Sequence, residues 1–444
     1  MKEITQLRSK QIEVFDWKSL RLKAVVVLTI LLSSSISLAQ NPWVLIDFVD
    51  ENVLTDDSVW DWEDVWDGNI PGDAITSGII FDDINNPDDP EPNLVDKVFT
   101  EGSKDDQFIS QWMNSNNGPN DKTDIQQAGA FLYDGVLYFF GNLYAANGDA
   151  NIGFWFFQDK VGVNGTSFTG EHVVGDLFIV AAFSNGGKVD NIAAYQWLGD
   201  GSGDVPNSSG NLQTLISANT TSTLITAVVN SEVEEVPWTY YTKGVNGDTD
   251  MPPLTFFEGY IDLRGLALDG TIPLQSDFCF SSFMVNTRTS TSVDASLKDF
   301  VGDSFDVTPV VDLEDESICE GETVELVPDI TGGLIKPGQT DFRYEWFNSN
   351  DLNTVISTDP TYTVDESAGT YNYTLIVYGD AIDGLGECKA EDAEATVIIY
   401  AAPTAEAGDE QNICIVTGNE TVQLAGSIGG GATSSTWSTS GDGG

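Results

Sequence analysis

The chain is nearly without histidine, short of positive charge and sparing with cysteine, and each shortage removes a class of function. His172 is the one histidine in 444 residues. Metal centres built on two or three imidazoles therefore cannot form, and a nucleophile–histidine pair would have to use that single side chain. His172 lies in Gly170-Glu171-His172-Val173, ahead of an apolar strand, which suits a loop or structural role. Lysine and arginine number 18 against 70 aspartates and glutamates, a formal net charge of −52. Such a surface repels nucleic acid and anionic membranes, because gripping phosphates requires cations. No G-x-S-x-G, Walker A or dinucleotide glycine pattern stands in a fitting context.

Long apolar runs are also missing, with one short exception. Basic residues from Lys18 to Lys23 precede an apolar stretch from Ala24 to Leu32, and small residues at Ser37 and Ala39 follow. This order reads as an export leader over residues 1–39, cleaved after Ala39. The apolar stretch is too short to cross a bilayer comfortably. The expected location is therefore secreted or at the cell surface, with no membrane insertion once the leader is gone. Cleavage makes the chain more acidic still, since the leader carries more basic than acidic residues.

What is present is strand sequence. Hydrophobic residues make up 41% and aromatics 11%, enough to bury cores despite the charge. Short aromatic and β-branched segments end in Gly, Asn or Asp, as in GAFLYDGVLYFFGNLY (129–144), NIGFWFFQD (151–159) and GDLFIVAAFSNGG (175–187). Asp134-Gly135 between two apolar runs is a hairpin signal. No long segment repeats at 3.6 residues; SVDASLKDF (292–300) fits a short helix or a strand. The expected fold class is all-β. A large jelly-roll or lectin-like sandwich spans 40–308, an Ig-like sandwich spans 309–401, and a second such module starts at 402–444.

The smaller module is marked by its own pattern. After Thr308-Pro309 come Ser317-Ile318-Cys319, the alternating strand Thr323-Val324-Glu325-Leu326, Tyr344-Glu345-Trp346-Phe347, and the long alternation from Ala368 to Val377. A tryptophan between two cysteines is a familiar core of such sandwiches, so Cys319 is expected to pair with Cys388; two free thiols are the alternative. Asn412-Ile413-Cys414 echoes Ser317-Ile318-Cys319, and Glu420-Thr421-Val422-Gln423-Leu424 echoes Glu322-Thr323-Val324-Glu325-Leu326. The second copy is expected to continue beyond Gly444, with the partner of Cys414 there.

Residues 310–444 resemble the Ig/PKD-like repeats of large secreted bacterial surface proteins. PTAEAGDEQNIC (403–414) and LAGSIGGGATSSTWSTSGDG (424–443) carry that resemblance. It implies the gliding-motility or type IX secretion class. FTEGSKDDQFISQW (99–112), FTGEHVVGDLFIVAAFSNGG (168–187) and CFSSFMVNTRTSTSVDASLKDFV (279–301) resemble an uncharacterised N-terminal region of secreted, repeat-bearing bacterial proteins. That resemblance implies location and architecture but no reaction.

Two binding chemistries fit the residues. Calcium takes several oxygen ligands from carboxylates and loop carbonyls. Acidic loops suited to it include Asp82-Asp83 to Asp88-Asp89, Asp121 to Asp124 and Asn246 to Asp250; Asp105, Asp106, Asn147 and Asp149 are the first choice. Taken singly, each also suits an ordinary turn. Glycans or surface polymers stack on exposed aromatics beside Asp and Asn, and Trp60, Trp62 and Trp66 in SVWDWEDVWDG are the candidates. The chain is therefore read as a non-catalytic adhesin-like protein with a possible glycan-binding surface on an Ig-like stalk. Alternatives are a secreted carbohydrate-active hydrolase, which needs only two well-spaced carboxylates, and a structural surface component.

Overall fold

A computed structural model describes residues 61–71, 74–82, 96–100, 102–145, 150–184, 188–218, 220, 222–230, 233–243, 245–272, 278–336, 338–381, 386–412, 414 and 421–438. The expected leader, Trp60, Asn147 and Asp149 lie outside these residues. The described chain is nearly all strand, as expected, with two α-helices of one to two turns, α1 (Trp62–Asp67) and α2 (Leu263–Leu268), and one 3-10 turn (Ile109–Gln111). The Asp262 side chain caps α2 by accepting from the Gly265 N–H at 2.6 Å.

Two sheets form the first sandwich. One is five-stranded, in the order β1 (Ile75–Phe81), β4 (Ile125–Tyr133), β5 (Val136–Leu143), β15 (Phe256–Asp262) and β12 (Ile225–Val229). The other is ten-stranded. Its order is β11 (Leu212–Ile216), β10 (Lys188–Trp197), β9 (Leu177–Ser184), β6 (Ala150–Phe157), β16 (Ser282–Arg288), β17 (Leu297–Ser304), β2 (Val98–Thr100), β3 (Met113–Ser115), β8 (Ser167–Thr169) and β7 (Gly162–Asn164). A separate ribbon pairs β13 (Glu234–Thr242) with β14 (Val245–Met251). The segment 292–300 resolves as turn followed by strand, since β17 starts at Leu297.

The β4–β5 hairpin shows how local sequence sets this topology. Asp134 and Gly135 have φ of 48° and 75°, and Tyr133 pairs with Val136. Two successive positive φ values define the tight turn whose twist matches the flanking strands, and Asp-Gly is the pair that tolerates it.

Alternate side chains of the ten-stranded sheet enter two different cores. Phe154, Phe156, Ile179 and Val285 face the five-stranded sheet and meet Leu132, Leu137 and Phe139. Trp155, Phe157, Phe178 and Met284 point the other way, into a second core closed by Trp112, Phe168, Trp197 and Leu297. A strand covered on both faces loses the apolar–polar alternation, which is why NIGFWFF reads as one unbroken apolar run. Each buried tryptophan removes roughly 150–250 Å² from water, worth about 4–6 kcal/mol at about 25 cal/mol per Å².

A second sandwich follows. Its main sheet runs β19 (Glu316–Cys319), β27 (Ala393–Tyr400), β25 (Gly369–Asp380), β22 (Arg343–Asn348) and β23 (Asp351–Ser357), with β26 (Glu387–Lys389) paired to β25. Short pairs of β18 (Val310–Asp312) with β21 (Asp329–Thr331), and of β20 (Val324–Leu326) with β24 (Tyr362–Val364), accompany it. Trp346 is fully buried among Leu326, Val364, Tyr373, Leu375 and Val397, and its indole N–H donates to the Asp359 carbonyl at 2.9 Å. In β27, Ala393, Ala395, Val397 and Ile399 are buried while the residues between them are mostly exposed, a clean period of two. Beyond it, β28 (Thr404–Glu406) pairs with β29 (Ser427–Gly429).

The cysteine pairing differs from expectation. Cys388 is bonded to Cys279, not to Cys319, across a Cα–Cα distance of 5.3 Å. Cys319 and Cys414 are free and exposed. The reason lies in packing. Cys319 ends an outer strand that runs parallel to β27, opposite Tyr400. Cys388 is fully buried and packs with Leu334 and Ala381 against Phe278, Phe280, Phe305 and Val307 of the first sandwich. A backbone bond from the Gly333 N–H to the Asp306 carbonyl (2.9 Å) crosses the same seam, and one from Asp380 to Leu334 (2.7 Å) lies beside it within the second sandwich.

Candidate functional site

The chemistry-bearing groups gather at two places in the first sandwich. One is a carboxylate cluster where the two sheets meet. Asp82 follows the last residue of β1, and its N–H donates to the Gln126 carbonyl at 2.9 Å. Asp96 stands just before β2. Asp299 lies within β17, directly opposite Val98 of β2. Ligand oxygens of Asp82, Asp96 and Asp299 all lie within 4.8 Å of one another.

Asp299 is the buried member. It is fully shielded from solvent. Its Oδ2 accepts from the Ile125 N–H at 2.8 Å, while its Oδ1 is buried without a hydrogen-bond partner. Burial pushes its carboxyl well above the ordinary range, and the neighbouring charges of Asp82 and Asp96 add to the rise. Asp124, at the foot of β4, raises it further and is itself pushed up to about 7 by burial. The strand ends are held in place by a short relay. Thr287 donates from its hydroxyl to the Thr123 carbonyl at 2.6 Å and accepts from the Asp299 N–H at 3.1 Å.

The other place is the second core. Asp105 and Arg288 are both fully buried, and Arg288 Nη2 lies 2.7 Å from Asp105 Oδ2. The Trp155 indole N–H donates to Asp105 Oδ1 at 2.8 Å and the Asn286 amide at 3.2 Å. Nearby, His172 is shut from solvent, stacked on Trp197 at 4.0 Å between ring centroids and 4.6 Å from Trp155. Its Nδ1 is 3.0 Å from Asp176 Oδ2.

These positions revise the expected sites. Asp105 is no calcium ligand in this arrangement, because its oxygens are already committed to Arg288, Trp155 and Asn286. Asp106 is buried and accepts from the Ser209 N–H at 2.9 Å. The other two members of that set, Asn147 and Asp149, lie outside the described residues. Of the tryptophans expected to bind glycans, Trp60 is also outside them, and Trp62 is buried, with a relative exposure of 2%. Trp66 is exposed and stands edge-on to exposed Phe81, 6.0 Å between centroids. Of the acidic loops named from sequence, the one at Asp82 contributes to the carboxylate cluster, while Asp124 of another bears on Asp299 only through its charge. Asp96 and Asp299 were not foreseen. The signal for Asp299 was an acid at a core-facing position of a strand, in LKDFV.

His172 gives a pH prediction. Burial among the rings holds its imidazole below the ordinary range, with Asp176 pulling the other way. The unfolded chain therefore takes up the proton first, near pH 6.5. The stabilising contribution is present above about pH 6.5 and is lost as pH falls toward the depressed value. Urea midpoints measured from pH 7.5 to 5 should fall more steeply for the wild-type chain than for His172→Gln. Parallel curves would contradict this.

No family model matches the chain, and no curated protein matches it. Among solved structures, it is similar over 24% of its length to 89% of the PKD domain of human KIAA0319, at 17% identity and a TM-score of 0.17. It is similar over 21% to 98% of a fibronectin(III)-like module of Clostridium thermocellum CbhA, at 14% identity and a TM-score of 0.15. Over 63% it is similar to 80% of the N-terminal four Ig domains of Dscam1, at 9% identity and a TM-score of 0.19. At these values the all-β assignment rests on the chain's own sheets.

Proposed function

We propose that the chain is an exported, non-catalytic surface protein of the adhesin kind, whose first sandwich presents a glycan-binding surface and whose second acts as its mount. The observation that carries this reading is the seam between the sandwiches. A disulfide, a shared apolar cluster and a backbone hydrogen bond from Gly333 to Asp306 join them. A binding surface held firmly on its mount transmits force and orientation. An oxidised pair of cysteines also suits an exported protein, in line with the leader expected from sequence and the acidic composition. Among the described residues no helix is long and apolar enough to cross a membrane.

The sugar-stacking surface in this reading is the exposed pair Trp66 and Phe81. Aromatic faces with an apolar body and a wet rim suit that task. The test is a glycan array probed with residues 40–444, with calcium and with chelator, beside Trp66→Ala. Retention on a glycan that falls at least tenfold in Trp66→Ala is the expected result. Release of reducing ends from a bound polysaccharide would instead make the protein a hydrolase. Absence of binding to every glycan would remove the sugar reading.

A further inference from the structure

We infer that Asp82, Asp96 and Asp299 form a calcium site that clamps the two sheets of the first sandwich together. The inference does not depend on the adhesin reading.

Three observations carry it. First, the ligand oxygens of the three carboxylates fit within 4.8 Å. That is about the span across one calcium ion, whose ligand distances are about 2.3–2.6 Å. Second, Asp299 is fully buried and its Oδ1 has no hydrogen-bond partner. A buried carboxylate oxygen left unpaired is costly, and the carboxylates of Asp82 and Asp96 stand beside it. A divalent cation relieves all three. Third, the donors are hard oxygens with no imidazole or thiolate among them, which selects calcium over zinc or copper. Calcium takes six to eight oxygens, so three carboxylates leave positions for water.

The placement gives the ion a structural task. Asp82 follows a strand of the five-stranded sheet, while Asp96 precedes β2 and Asp299 lies in β17, neighbouring strands of the ten-stranded sheet. The two sheets are otherwise joined here by the Ile125 N–H bond to Asp299 and the relay through Thr287 and Thr123. Bound calcium would convert mutual repulsion at the seam into a crosslink.

The test uses the full chain, stripped with chelator and titrated with calcium chloride by calorimetry, with thermal unfolding in parallel. One site and a rise in Tm of several degrees at 1 mM calcium are expected, on the order of what binding at 100 times Kd supplies. Asp299→Asn should weaken that site at least tenfold and abolish the Tm rise. The exposed Glu391→Gln, in the second sandwich, should leave both unchanged. If Asp299→Asn does not fold, the double change Asp82→Asn and Asp96→Asn serves instead. Equal calcium binding by wild type and either cluster variant would overturn the site and assign the ion to the diffuse acidic surface. A wild-type chain with no heat and no Tm change would overturn it as well.

Discussion

Replacing Arg288 with alanine should destabilise the first sandwich by about 3–5 kcal/mol, the range for breaking a buried ion pair from one side. The guanidinium is fully buried. It meets Asp105 at 2.7 Å, donates from Nε to the Ser290 carbonyl at 2.9 Å and from Nη2 to the Ser292 carbonyl, and lies 5.0 Å from the centre of the Phe178 ring. It therefore ties the end of β16, the turn after it and the loop carrying Asp105 to one point. Without it, Asp105 becomes a buried charge with only Trp155 and Asn286 to meet it. Burial already holds the Asp105 carboxyl above the ordinary range, with Arg288 pulling against it, and pushes Arg288 down in turn. Asp105→Asn should be costly for the mirror reason. The two changes together, as Asp105→Asn with Arg288→Ala, should cost less than their sum by about 0.5–3 kcal/mol, because each removes the other's orphan. Urea unfolding of the four proteins closes the cycle. A loss below about 1 kcal/mol in Arg288→Ala would mean that water reaches the pair and screens it.

The same pair shows where sequence reasoning stopped. Asp105-Asp106 looks like a loop acid pair, and loop acids invite calcium. Nothing local to FTEGSKDDQF announces that an arginine far along the chain will be folded over it. The trace that did exist was on the partner: SFMVNTR puts an arginine at the end of an apolar strand, in a chain with few cations. By contrast, the Asp134-Gly135 hairpin was legible because two adjacent residues fix the turn, and β27 was legible because one of its faces is wet. The strands β6, β9 and β16 could be read as buried. Which residue faced which core could not, since both faces are apolar. The carboxylate cluster was half legible. Asp82 and Asp124 sit in visibly acidic stretches, whereas Asp96 and Asp299 become their neighbours only through the pairing of β2 with β17 and the closure of the two sheets.

The disulfide offers the sharpest contrast between the two pairings. Changing both Cys279 and Cys388 to serine should lower stability by about 4–5 kcal/mol in the chain-entropy account, which rises with the length of chain enclosed. The enclosed separation here is 109 residues and takes in most strands of the second sandwich. The native seam has other holds, including the Thr308 hydroxyl donating to the Cys279 carbonyl at 3.2 Å and the packing of Leu334 and Ala381 beside Phe280 and Phe305. The double variant should therefore fold with its seam intact, and its loss should appear mainly as a less constrained unfolded chain. Adding reductant to the wild type should reproduce that shift in urea midpoint, and adding it to the double variant should do nothing further. Cys319→Ser should be silent, because Cys319 is exposed and free. Had Cys388 paired with Cys319 instead, the pattern would invert: Cys319→Ser would carry the large loss and Cys279→Ser would be nearly neutral. The single-cysteine variants thus decide whether the bridge staples one sandwich internally or locks two sandwiches together, and the proposed mounting of a binding surface requires the second.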